Sequence, residues 1–227
     1  MRVLILKDTR LSRLPIITSM ALVIAPYLGA TMMTAYTYWP EWPSQASVAD
    51  TLATAAVFGL LLSTVSAGLL AGNMFACERA DGSAVFLACQ PVSKSRVAFS
   101  KAIVLGGVIG MIWLIHCLSL MVIAPGLDVE AAPYIELDNP LGFTAATVIV
   151  AAGVGWVASV VMTSSAMATS TALAATFFLP WFVYLCSLGL DSISPDQLRA
   201  IATAVQWIAG IGGFLLGTLI FLKRVEP

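Results

Sequence analysis

The chain has 227 residues, of which 59% are hydrophobic and only 10% charged, against about 45–50% apolar and about 25% charged in soluble domains. That balance excludes a water-soluble protein and describes an integral membrane protein. A formal net charge of -1 gives no electrostatic footprint for nucleic acid, so the placement of the charges carries the information.

The first 13 residues read as an amphipathic helix lying in the headgroup layer. Arg2, Lys7, Arg10 and Arg13 supply its basic face, and Val3, Leu4, Leu6, Leu11 and Leu14 its apolar one. A cleavable signal peptide fits poorly, because the apolar run that follows is too long and lacks a small-residue cleavage signature before Tyr36.

Spanning about 30 Å of hydrocarbon takes about 20 helical residues. Stretches of that kind occur at 14–36, 51–74, 97–124, 141–162, 170–189 and 201–222, which predicts an all-α polytopic protein with six spans. The segment from Leu141 to Leu190 carries no charge and would be about 75 Å long as one helix, so it must double back. Thr163-Ser-Ser and Thr169-Ser-Thr171 are the expected turn, since small hydroxyl residues satisfy freed backbone groups.

Local punctuation fits these borders. Asp138 or Asn139 can cap the fourth span ahead of Pro140, and Ser194-Pro-Asp-Gln197 has the form of a capping box that starts the sixth helix early. No segment between spans is large enough for a separate soluble domain, so residues 1–227 read as a single transmembrane domain.

Placing the N-terminus inside puts Arg2, Lys7, Arg10, Arg13, Arg79, Lys94, Arg96, Lys101, Lys223 and Arg224 on the cytoplasmic side and leaves Arg199 outside. Both termini are then cytoplasmic. The outer segments hold Glu41, Asp50, Asp128, Glu130, Glu136, Asp138, Asp191 and Asp196, and Tyr36, Tyr38, Trp39 and Trp42 form an aromatic belt. Topological bias accounts for those acids better than cation capture.

Chemistry is scarce. No Gly-x-x-x-x-Gly-Lys-Ser/Thr loop is present, so energy from ATP would have to come from a partner. His116 stands alone in the third span, without a second histidine or an intramembrane carboxylate, and reads as an interhelical hydrogen bond. Ser66 and Gly68 or the Thr163 cluster do not make the pattern of an intramembrane serine protease. Cys77, Cys89, Cys117 and Cys186 show no disulfide or metal spacing and read as free thiols. No catalytic, cofactor or metal residues are expected.

Gly68 with Gly72, Gly106 with Gly110, and Gly213 with Gly217 are Gly-x-x-x-Gly pairs suited to close helix packing or a subunit interface. Pro26 and Pro180 interrupt the first and fifth spans, and irregular backbone at bilayer depth must be covered by protein or face a cavity. The fifth span also gathers Phe177, Phe178, Trp181, Phe182 and Tyr184, for which lipid exposure or ordinary packing is the simpler reading and an aromatic wall along a path the sharper one.

The most informative stretch separates the second and third spans. Asp81-Gly-Ser83 can start a short helix over 81–90, Val85, Phe86 and Leu87 can make contacts, and Pro91 ends it. An exposed Val-Phe-Leu cluster is costly in water and points to a partner groove rather than to an ordinary basic loop.

Glu78-Arg79, Asp81-Gly82-Ser83, Phe86-Leu87, Pro91-Val92-Ser93-Lys94 and Ser100-Lys101 resemble the cytoplasmic signature of permease subunits of type-2 ATP-binding cassette (ABC) exporters. The usual form there is Glu-Arg/Lys-Glu-x-Gly-Ser, Leu-Leu, Pro-Val-Ser-Arg and a following Lys. Asp81 lies one place beyond the usual second acid, and Lys94 replaces the more frequent Arg. The resemblance implies two permease chains, identical or homologous, joined to two cytoplasmic ATPases that bind ATP and Mg. It makes 81–90 a coupling helix, with Glu78, Arg79, Asp81, Gly82, Ser83, Phe86, Leu87, Pro91, Lys94 and Lys101 as the coupling set. It also implies that the first, second and fifth spans line the dimer interface and path, with Pro26, Thr31, Ser66, Asn73, Phe177, Phe178, Pro180 and Trp181 as candidates.

The expected function is therefore that of an ATP-driven exporter permease in a bacterial or archaeal plasma membrane. The rival is a non-transporting membrane subunit that uses the same ATPase contact to regulate, assemble or anchor another complex. An ATP-independent channel or small carrier is a weaker third reading.

Overall fold

A computed structural model describes residues 2–38, 45–82, 92–123, 140–188 and 194–223. The described residues form eight helices. These are α1 (Arg2–Leu11), α2 (Arg13–Thr37), α3 (Gln45–Asn73), α4 (Ala76–Ala80), α5 (Lys94–Ile123), α6 (Pro140–Val161), α7 (Ser165–Ser187) and α8 (Pro195–Lys223). Six of them, α2, α3, α5, α6, α7 and α8, are long and apolar enough to cross a membrane.

Several helix ends follow directly from local chemistry. At the start of α8, the Ser194 amide donates to Gln197 Oε1 at 3.0 Å and the Gln197 amide to Ser194 Oγ at 3.3 Å, the reciprocal capping box expected there. Pro140 opens α6, where a missing N–H costs nothing. The fourth and fifth spans reverse at Met162–Ser164, and Ser164 caps α7 by accepting from the Met167 amide at 3.4 Å. The fifth helix thus begins at Ser165 rather than near 170, and the second hydroxyl cluster lies within it. Thr171 bonds back to the Met167 carbonyl at 2.9 Å, so this hydroxyl is satisfied without breaking the helix.

Two helices form the centre. About two thirds of the apolar window of α3 and 72% of that of α6 are buried within the chain, against 11% for α2 and 17% for α7. The second span is surrounded by α2, α5, α6 and α7, and the fourth by α3, α7 and α8.

Small residues allow this closeness. A Cβ on Gly153 would strike the Gly210 carbonyl, one on Gly213 would stand 2.8 Å from the Gly153 oxygen, and one on Gly72 would meet Thr169 Oγ1 at 2.6 Å. Gly106 and Gly110 behave differently, because a Cβ on either meets nothing within 4 Å; among the described residues this pair is not a packing face.

Around Leu70, Met74, Phe75, Leu105 and Val160, Trp156 anchors the core at one end of the bundle. Its ring meets Phe75 edge-on at 4.9 Å and stacks on Phe214 at 4.5 Å, while Nε1 donates to Thr218 Oγ1 at 3.2 Å. This end also holds α1, α4, the start of α5 and the Met162–Ser164 turn.

Candidate functional site

Just beyond Asn73 the second long helix breaks. The Met74 amide pairs with the Ala71 carbonyl at 3.3 Å in a tightened last turn, and the chain re-enters helix at Ala76. That restart lasts five residues and is followed by Gly82 at φ +75°, a left-handed geometry that glycine adopts without a Cβ clash. Glu78 and Arg79 are thereby held on a fixed turn at the end of the bundle.

Four charged side chains from three helices meet there. Lys101 Nζ, projecting from α5, lies 3.0 Å from Glu78 Oε1 and 3.4 Å from Asp8 Oδ1. It also donates to the Met74 carbonyl at 2.6 Å and sits 5.2 Å from the centre of the Phe75 ring. Lys7 Nζ reaches the same Glu78 oxygen at 2.7 Å, and Ser100 Oγ donates to Asp8 Oδ2 at 2.6 Å.

Asp8, Glu78 and Lys101 are 2%, 4% and 2% exposed. Ions removed from water cost several kcal/mol each, of order, unless paired and hydrogen-bonded. Among the described residues two cations face two carboxylates, and the Met74 carbonyl and Ser100 hydroxyl answer further donor and acceptor capacity. The result is a joint that ties α1 to the end of α3, to α4 and to α5.

Arg79 adds a second tie. Its guanidinium donates to the Ser159 carbonyl, one of the last carbonyls of α6, where a cation suits both the unpaired oxygens and the negative end of the helix dipole. Both central helices are thus linked at their ends through α4.

The described residues expected to couple to a partner fall into two groups. Glu78, Arg79 and Lys101 are engaged inside this joint, so they act on its geometry rather than presenting an open contact surface. Asp81 and Gly82 form the exposed bend after α4, and Lys94 is exposed at the start of α5. Ser83, Phe86, Leu87 and Pro91, with most of the expected helix over 81–90, lie outside the described residues.

Among the candidate path residues, Thr31, Phe177, Phe178 and Trp181 are exposed on α2 and α7. Pro26 and Pro180 lie within those two helices, as expected. Ser66 is instead fully enclosed, because it belongs to the central helix and faces the chain's own neighbours; it does not line a free face. Asn73 borders a groove of about 420 Å³ with Leu14, Pro15, Thr18, Leu69, Ser165, Ala166, Thr169 and Ser170. The groove thus brings α2, α3 and α7 together at the end that carries the charge cluster, with hydroxyls and an amide on apolar walls and, among the described residues, no charged side chain.

Sequence reasoning missed Asp8 and the pairing roles of Lys7 and Ser100. An acid within a basic N-terminal helix looks solvated, and its partners lie 92 and 93 residues away. The available signal was Lys101 itself, a charge seven residues into a long apolar helix that needed a counter-ion.

Residues 5–180 match the family model described as ABC-2 family transporter protein. No curated protein and no solved structure gives a significant match.

Proposed function

This chain belongs to the ABC-2 family of transporter proteins, and from that premise we propose that it forms one half of an ATP-driven exporter. Family membership and six span-capable helices make it a multi-pass membrane protein and a transmembrane permease subunit rather than an ATPase domain. In the proposed assembly two such chains, identical or homologous, enclose a path, and two cytoplasmic ABC ATPases bind ATP and Mg and drive it. The strong basic bias of one end supports placing that end and both termini in the cytoplasm, and a bacterial or archaeal plasma membrane is the proposed location.

The observation that carries the coupling proposal is the charge cluster. Glu78 and Lys101 belong to the stretch that resembles the exporter signature, and Asp8 locks them to the helix ahead of the first span. A push on the segment after Gly82 would be passed through α4 to the ends of α3, α5 and α6 as a unit, since these ends share the ion pairs and the Arg79–Ser159 bond. The groove between α2, α3 and α7 would serve as the inner mouth of the path, and its uncharged lining suits an amphipathic substrate with a neutral polar head.

Purification from native membranes should bring down an ABC ATPase, and the complex in liposomes should hydrolyse ATP faster when its substrate is present. Recovery without any ATPase would remove the proposal in favour of a channel or carrier. ATPase recovery without movement of any solute would favour the non-transporting subunit.

A further inference from the structure

His116 is the chain's single histidine and is fully enclosed within a span. Its Nδ1 lies 2.8 Å from the Tyr27 hydroxyl, and the two rings stack with centroids 5.8 Å apart. The imidazole turns its Cε1 edge to Gly59, where an added Cβ would run into Cε1 and stand 2.9 Å from Nδ1. Three helices, α2, α3 and α5, therefore meet on one ring.

Its other nitrogen, Nε2, is buried and makes no hydrogen bond of good geometry, and among the described residues the ring's one further polar neighbour is the Gly59 backbone. A neutral imidazole has one N–H donor and one bare acceptor. If Tyr27 donates to Nδ1, the proton sits on Nε2 and a buried donor lacks a well-aligned acceptor. If Tyr27 accepts, Nε2 is a bare acceptor without a well-aligned donor. In either tautomer that half of the ring has only a poorly aligned contact with the Gly59 backbone, and the incomplete pairing offsets part of what the Tyr27 bond contributes. The contact is specific in geometry and weak in energy.

A second observation lies one residue away. Pro26 has no N–H to give the Leu22 carbonyl, so α2 lacks a rung immediately before Tyr27. Beyond that point α2 exposes Leu28, Met32 and Met33. Tyr27 thus holds α2 at the point where its hydrogen-bond ladder lacks a rung.

We propose that Tyr27, His116 and Gly59 form a latch holding the segment of α2 beyond Pro26 against α3 and α5, and that α2 swings about Pro26 when the latch opens. If the chain works as an exporter permease, this motion widens the far half of the path. The latch itself rests on the contact geometry and is tested without ATPase, nucleotide or substrate.

Spin labels at Tyr36→Cys on α2 and Met121→Cys on α5, with the native cysteines removed, report the separation of the two helices for the full chain in lipid nanodiscs. One short distance should dominate in the otherwise unchanged protein. Tyr27→Phe keeps the ring and removes the hydroxyl, and should raise the ratio of long to short distances by roughly fivefold, the equivalent of one net hydrogen bond. Gly59→Ala, which displaces the imidazole, should shift the ratio the same way. Removing both polar partners in Tyr27→Phe/His116→Leu leaves no incompletely paired group and should restore the short distance, because replacing both members of a buried pair by apolar groups is close to neutral. An unchanged distribution in Tyr27→Phe and Gly59→Ala, or a double variant as open as Tyr27→Phe, overturns the latch. Should the double variant fail to insert, the two single variants still decide.

Discussion

Asp8 shows how one residue can set the character of a site that its own neighbourhood does not reveal. It lies among Lys7, Arg10 and Arg13, yet its carboxylate is enclosed by Ser100 and Lys101. Replacing it by Leu would leave two ammonium groups on one carboxylate, an uncompensated buried charge worth about 3–5 kcal/mol of stability. Lys101→Met should cost a similar amount for the opposite reason. The pair Asp8→Leu/Lys101→Met removes one charge of each sign, so its loss should fall well short of the sum of the single losses. Thermal unfolding of the three variants in one detergent measures this; strictly additive losses would show that the two residues do not interact. The signature residues around Glu78 and Lys101 were legible in the sequence, but their burial was not, because burial depends on a helix nearly a hundred positions away.

Elements were far more legible than contacts, since several helix ends are written in residues beside them. Pro140, the Thr163-Ser-Ser turn and the Ser194–Gln197 box all stand where their chemistry suggests. The glycine pairs were only half legible. Spacing reveals that a close approach is possible, while which pair uses it depends on how α5 and α8 are rotated about their axes. Gly153 and Gly106 make the difference measurable. Gly153→Ala places a methyl against the Gly210 backbone and should separate α6 from α8 at a cost of about 1–3 kcal/mol. Gly106→Ala meets open space and should change stability by no more than about 0.5 kcal/mol. Equal melting temperatures for the two variants would mean that α6 and α8 are not in contact through Gly153 and Gly210.

At the scale of the molecule, the six spans follow from apolar length, whereas the sidedness and the partner face follow from charge and from what the bundle leaves uncovered. If the basic end is cytoplasmic, single cysteines at Thr37 and Asp196 should react with an impermeant thiol reagent applied outside intact cells, and one at Ser95 should not; the reverse pattern would invert the topology. If a second permease packs against this chain, the face it meets is constrained by burial within one chain. The central helices α3 and α6 are mostly used up by their own neighbours, which removes Ser66 as a point of contact. Exposed apolar surface alone does not select a face in lipid, because hydrocarbon tails cover it as well as another helix does. In the proposed dimer the selection comes from the groove: α2 and α7 border it on two sides with α3 behind, so a second copy approaching along α2 and α7 would close it into a path. Cysteines at Thr31 and Phe178, both exposed there, should form disulfides between copies, and the yield should change when nucleotide is added to the complex. Cross-links obtained instead through Gly106 and Gly110 would place the partner on the open glycine face of α5, leaving the groove to the lipid.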